Sequence, residues 1–192
     1  MARIGLAKPY YALYAANNGA VTYSNGAILA KAVEAQIELE DTEAVVLYAD
    51  NVAAESVASF STGTLTLTID ELSVDKAGAI LGITPVAVTS PGTGKTLEFR
   101  SGQAIPYLGL GLIVNKVVSN VNVYMGLILN KIQFRIPAGD YTTMGETIEF
   151  QTPELEATIM KDDTANGVWQ EWGEFSTFAD AEAWVKGKLS IT

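Results

Sequence analysis

Most of this chain alternates apolar and polar residues with a period of two, the mark of strands buried on one face and wet on the other. Val33, Ala35, Ile37 and Leu39 share one side of a segment whose other side is Glu34, Gln36, Glu38 and Glu40. Leu65, Leu67 and Ile69 alternate with Thr64, Thr66, Thr68 and Asp70. Further on, Val121, Val123 and Met125 alternate with Asn120, Asn122 and Tyr124, and Ile132, Phe134 and Ile136 with Lys131, Gln133 and Arg135. One-sided alternation predicts antiparallel strands, because parallel sheets are covered on both faces and read as continuous apolar runs.

Three Asn-Gly pairs, Asn18-Gly19, Asn25-Gly26 and Asn166-Gly167, fall between apolar segments. Asn-Gly accommodates the positive φ values of a type I′ hairpin. The first two pairs predict a meander of strands at Tyr10 to Ala16, Ala20 to Ser24 and Ala27 to Lys31. The third joins strands at Glu154 to Lys161 and Val168 to Trp172. Two helical patterns interrupt the strands. Ser73 is placed to cap a short helix through Val74, Ala77, Ile80 and Leu81, closed by Gly82. Thr177 and Asp180 make a capping box with Asp in place of Glu, Lys186 and Lys188 lie in the last turn, and Phe178, Ala181, Trp184 and Val185 form one apolar face. The expected fold is mainly β: a single-domain antiparallel β-sandwich or barrel over residues 1–192 with one or two short flanking helices, the second at 177–189.

Composition narrows the chemistry. There are 22 Asp and Glu against 12 Lys and Arg, a net charge of −10, and no His or Cys. Those absences remove Ser-His-Asp and Cys-His catalysis, His acid–base chemistry, disulfides and thiolate metal sites. The expectation is therefore a non-enzyme with no catalytic residue, metal or cofactor. The acidic excess opposes nucleic-acid binding through neutralised phosphates, but it is compatible with a conduit whose wall repels DNA. Charged residues make up 18% of the chain, below the roughly 25% of an ordinary soluble domain. Hydrophobic residues reach 48% and mean hydropathy is +0.21. Some of that apolar surface is expected to meet other copies. The most apolar stretch, Ala104 to Val114, contains Pro106, Gly109 and Gly111 and is too short to span a bilayer as a helix. The amino end breaks its apolar run at Lys8 and Pro9, unlike a signal peptide. An unexported, soluble product without a membrane partner is the expectation.

Several motifs invite chemistry. Ser90-Pro-Gly-Thr-Gly-Lys-Thr96 resembles a phosphate-binding loop, but Thr89 stands where that motif needs Gly and a strand pattern follows instead of a helix. A hairpin loop is the better reading. Asp162-Asp163 and Asp70-Glu71 lack the spacing of a calcium loop. Trp169 and Trp172 with Tyr10, Tyr11 and Tyr14 offer a stacking platform for sugars or single strands, against which stands ordinary packing of aromatics. Lys95, Arg100, Lys116, Lys131 and Arg135 face the single acid Glu98 between Gly92 and Gly139, whereas Lys161 is the sole base from Asp140 to Glu182. Such segregation suits head-to-tail contact between copies, or is solvated charge without a role.

In order along the chain come Leu47-Tyr-Ala-Asp-Asn-Val-Ala-Ala-Glu55, Gly63-Thr-Leu-Thr-Leu-Thr-Ile-Asp-Glu-Leu72, a short helix ending at Gly82, Thr147-Ile-Glu-Phe-Gln-Thr-Pro153-Glu-Leu-Glu-Ala, and Phe178-Ala-Asp-Ala-Glu-Ala-Trp184. Over this length the chain resembles the major tail proteins that build the tail tube of long, non-contractile phage tails. The resemblance implies a tail-tube β-sandwich or barrel, hexameric rings stacked into a tube, and residence in the virion after synthesis in the host cytoplasm. It implies as partners other copies of the chain, a tape-measure protein, a tail terminator and tail-tip proteins, with DNA in transient, non-specific passage. By the same analogy the ring-stacking loop falls at 47–60, through Leu47, Tyr48, Asp50, Asn51 and Glu55, with a second stacking arm at residues 1–9. Glu34, Gln36, Glu38, Glu40, Thr64, Thr66, Thr68 and Asp70 are the expected lumen-facing set. The alternatives are a carbohydrate- or receptor-binding module of a tail tip or fibre, and the tube protein of a bacterial secretion or injection system.

Overall fold

A computed structural model describes residues 2–41, 45–49, 52–57, 60–118, 121–137 and 152–192. Its strands are β1 (Ala2–Asn17), β2 (Ala20–Ile28), β3 (Ala32–Asp41), β4 (Val45–Ala49), β5 (Val52–Val57), β6 (Phe60–Ile69), β7 (Val86–Val88), β8 (Gly94–Thr96), β9 (Leu108–Val118), β10 (Val121–Phe134), β11 (Glu154–Met160) and β12 (Gln170–Phe175). Helix α1 (Val74–Leu81) follows β6 and α2 (Phe178–Lys188) follows β12. The fold is mainly β and antiparallel with two short helices, as the alternation predicts.

Eight strands form one sheet in the order β2-β1-β9-β10-β11-β6-β3, with β12 also on β10. Residues Tyr124 to Leu129 of β10 pair with β12 and Lys131 to Phe134 pair with β11, so the two shorter strands lie end to end along one side of β10. The sheet curls until β3 lies alongside β1, giving a barrel-like body. Its inner face is the main core: Leu65, Leu67 and Ile69 of β6, Leu155 and Ile159 of β11, Leu108 and Leu110 of β9, and Leu129, Ile132 and Phe134 of β10, with Ile80 and Leu81 of α1. Each such side chain, fully withdrawn from water, contributes about 1.5–3 kcal/mol.

Both helices end as their sequences prescribe. The Ser73 hydroxyl accepts from the Lys76 N–H at 3.4 Å, and Gly82, at φ 70, turns the chain out of α1. The Thr177 hydroxyl accepts from the Asp180 N–H at 3.1 Å. Helix α2 packs on the outer face of β1, β9 and β10, burying Ala181, Val185 and Leu189 against Tyr10, Ala12, Ile113 and Ile128. With core on both sides, β9 carries the continuous apolar run Leu108 to Val114. Close approach of α2 is possible because Gly111 faces it: a Cβ there would fall 2.4 Å from Val185 Cγ1.

Three expectations change in the fold. Asn18-Gly19 is the predicted hairpin turn, with φ 50 and 78, but Asn25-Gly26 is not a turn. There β2 runs on, and Asn25 and Gly26 together oppose Ala12 as a β-bulge with Asn25 at φ 52. The two segments expected within Val121–Ile136 are one strand, β10. Asn166-Gly167 closes a local turn, Gly167 N–H to the Thr164 carbonyl at 3.0 Å, yet β11 and β12 pair with β10 rather than with each other. Residues 2–9, the expected second stacking arm, form the first half of β1 and pair along β9 from Ala2↔Val117.

Candidate functional site

The outer face of β3, β6 and β11 is a polar ladder. Register sets Glu34 beside Thr68 and Thr68 beside Glu154, then Gln36, Thr66 and Glu156, then Glu38, Thr64 and Thr158, with Glu40 opposite Thr62. The central threonines are half-buried and the flanking acids exposed. β-Branched Thr suits the pleat of a central strand, and its small side chain leaves the longer carboxylates standing above it on either side. Neighbouring strands lie ~4.8 Å apart, so acids two strands apart are separated by about 10 Å.

Seven of the eight expected lumen residues therefore share one face: Glu34, Gln36, Glu38, Glu40, Thr64, Thr66 and Thr68. Asp70 departs from it. It follows the end of β6, where its Oδ1 accepts from the Lys31 N–H at 2.9 Å and its other oxygen lies 3.7 Å from Lys31 Nζ. Those contacts, led by the Lys31 N–H, hold its carboxyl below the usual range. Glu154, Glu156 and Thr158 were not in the expected set, although Glu-Leu-Glu-Ala-Thr-Ile alternates in the same way. The signal was present; the strand that lies beside β6 was not deducible from it.

Among the described residues Glu34, Glu38, Glu40 and Glu154 have no ion-pair partner, while Glu156 at the ladder's margin meets Arg135 at 2.9 Å. Elsewhere several charges pair within the chain, although Glu71, Asp162 and Asp180 likewise have no ion-pair partner among the described residues. Lys116 pairs with Glu174 at 2.8 Å, Lys131 with Asp163 at 2.7 Å, Lys95 with Asp75 at 2.6 Å and Arg100 with Glu98 at 2.9 Å. Lys116–Glu174, Lys131–Asp163 and Arg135–Glu156 thus join the basic stretch to the acidic one inside the subunit. Among the described residues no three acidic side chains converge as a metal site requires.

The other candidates resolve as follows. Gly94–Thr96 is β8, paired with β7, so the Gly-Lys-Thr motif sits in a hairpin and no helix starts at Lys95. The aromatic residues do not form one platform. Tyr10 and Tyr11 are buried, Trp169 stacks on Phe60 with centroids 4.3 Å apart, and Trp172 alone is largely open, 62% exposed. Tyr14 donates to Asp163 at 2.7 Å, and burial with that carboxylate pushes its hydroxyl up to about 12. Of the expected stacking loop, Leu47 and Tyr48 lie in β4 and Glu55 in β5, with Leu47 opposite Glu55 in a two-stranded hairpin. Asp50 and Asn51 lie outside the described residues. No helix among the described residues is long and apolar enough to cross a membrane. Comparison with protein-family models and with curated proteins finds no match, so the chain's own residues carry the functional argument.

Proposed function

We propose that the chain is the structural subunit of a phage tail tube, self-assembling into stacked, hexameric rings around an acidic-lined conduit for genome delivery. One observation carries this reading: an open sheet face on which Glu34, Glu38, Glu40 and Glu154 have no ion-pair partner among the described residues. A binding site for a polyanion would present cations there. A wall that must let DNA slide presents like charge, which keeps the phosphates hydrated and at a distance. By the resemblance, the tube also houses a tape-measure protein and ends at terminator and tip proteins. Negative-stain microscopy of concentrated protein tests the assembly: hollow tubes of uniform bore are expected, and compact single molecules at every concentration refute it. Trp172, on an edge strand, favours a second reading as a sugar-binding module of a tail tip. Glycan-dependent quenching of its fluorescence by a monomeric chain would support that alternative.

A further inference from the structure

The three Asn-Gly pairs share one local chemistry and have three different surroundings. In each, a glycine amide nitrogen follows directly on an asparagine side-chain carbonyl, and glycine has no Cβ to hinder their approach. Asn18 and Asn25 are held at φ 50 and 52, and Gly167 at φ 58, so bringing nitrogen and carbonyl together requires the local backbone to open first. What that opening breaks differs from pair to pair. At Asn25-Gly26 the β1–β2 ladder continues on both sides, through Leu13↔Ser24 and Tyr11↔Ala27, and Ile191 packs so closely that a Cβ on Gly26 would collide with its Cγ1. At Asn166-Gly167 the Gly167 N–H donates to the Thr164 carbonyl at 3.0 Å, and the Val168 carbonyl accepts from the Asp162 N–H at 3.1 Å and from Asn130 Nδ2 at 3.3 Å. At Asn18-Gly19 only the end pair of a hairpin, Asn17↔Ala20, closes the turn. Every residue from Ala15 to Ala20 is exposed, and the Gly19 N–H has no acceptor among the described residues.

We propose that Asn18 is a modification site, converting spontaneously to aspartate and isoaspartate ahead of Asn25 and Asn166. The Gly19 amide gives its proton to solvent base, and its nitrogen bonds to Asn18 Cγ. The Cγ–Nδ2 bond breaks, and the side-chain nitrogen leaves as ammonia with a proton returned from solvent. The five-membered succinimide that remains takes up one water. Addition at Cγ opens the ring to aspartate, and addition at the main-chain carbonyl opens it to isoaspartate. Water is the only co-reactant. Each event adds one negative charge to the −10 of the subunit, at the tip of the β1–β2 hairpin. The two products differ in consequence. Asp-Gly suits the same type I′ turn as Asn-Gly, whereas isoaspartate lengthens the main chain by a methylene that a two-residue turn cannot take in. Isoaspartate therefore frays the hairpin from its exposed end. Nothing in this chemistry depends on a tube, so it stands or falls apart from the proposed function.

The test uses the native full chain. It is held in mildly alkaline buffer, sampled over time, digested at mildly acidic pH and read by peptide mass spectrometry, with fragment ions separating positions 18 and 25. One hydrogen bond that must open first slows such a reaction about five-fold. Asn25 and Asn166 each require more than one to open, so conversion at Asn18 is expected to lead either by roughly ten-fold or more. Isoaspartate should accumulate at position 18 beside aspartate. The same chain unfolded in urea should lose this order, the three pairs reacting at similar rates because all share the glycine that follows. Equal rates at the three pairs in the folded chain, or Asn25 or Asn166 in the lead, overturns the assignment. A folded chain still unreacted at Asn18 after the unfolded chain has been converted overturns it as well. An order that persists in urea also does so, because it would then come from flanking sequence rather than from the hairpin.

Discussion

Reversing Glu34, Glu38 and Glu154 to Lys is expected to turn the ladder from a surface that repels DNA into one that holds it, without unfolding the subunit. The three acids are exposed and have no ion-pair partner among the described residues. Glu34 and Glu154 flank Thr68 at about 10 Å. Two unit charges at that distance interact by about 0.4 kcal/mol in water, reduced to roughly 0.1 kcal/mol by physiological salt. Relieving or inverting so small a repulsion moves stability by no more than about 0.5 kcal/mol, the ordinary range for surface substitutions. The net charge, by contrast, goes from −10 to −4 per subunit, all of the change on one face. Urea denaturation of the isolated subunit should show an unchanged midpoint. Assembled variant tubes should retain DNA at low salt and release it as salt rises, with a slope of about 0.9 per neutralised phosphate, and phage carrying them should deliver their genomes more slowly. Tubes that form but bind no DNA, with delivery at the normal rate, would refute the assignment of this face to the bore. A loss of stability well above ~1 kcal/mol would refute its description as open and wet.

Other outcomes follow from the packing of α2. Gly111→Ala brings a Cβ to 2.4 Å from Val185 Cγ1 and should cost about 1–3 kcal/mol by overpacking. Gly187→Ala, with nothing within 4 Å of the new Cβ, should stabilise α2 by roughly 0.5–1 kcal/mol; both are read from urea midpoints. Thr177→Ala removes the hydroxyl that caps α2 and should cost about 1 kcal/mol by the same measure. Glu182 accepts from the Tyr10 hydroxyl and from Lys8, which hold its carboxyl below the ordinary 4.5. The unfolded chain therefore takes up the proton first on acidification: the stabilisation is complete above the unfolded value and is lost as pH falls through the lower folded one. Urea midpoints measured from about pH 6 to 3 should fall more steeply for the native chain than for Glu182→Gln, and parallel curves would remove this contact from the acid response.

The strands, helix ends and acidic composition were legible along the sequence because each is set by chemistry within a few residues. A two-residue period orients Glu34, Gln36, Glu38 and Glu40 together whatever lies beside them, and Ser73, Gly82 and Thr177 end their helices through local hydrogen bonds. Tertiary structure decided everything that depends on a distant partner. Asn25-Gly26 has the local chemistry of a turn, but Ala12 lies across from it and Ile191 occupies the space a Cβ at Gly26 would take, so the chain bulges and continues. Glu154 stands in the ladder only because β11 pairs with β6, and Lys116 and Lys131 lose their free charge only because Glu174 and Asp163 are brought to them from far along the chain. Periodicity specifies which way a side chain points; pairing across the sheet specifies what it points beside, and that is set by burial of the whole core rather than by any one segment.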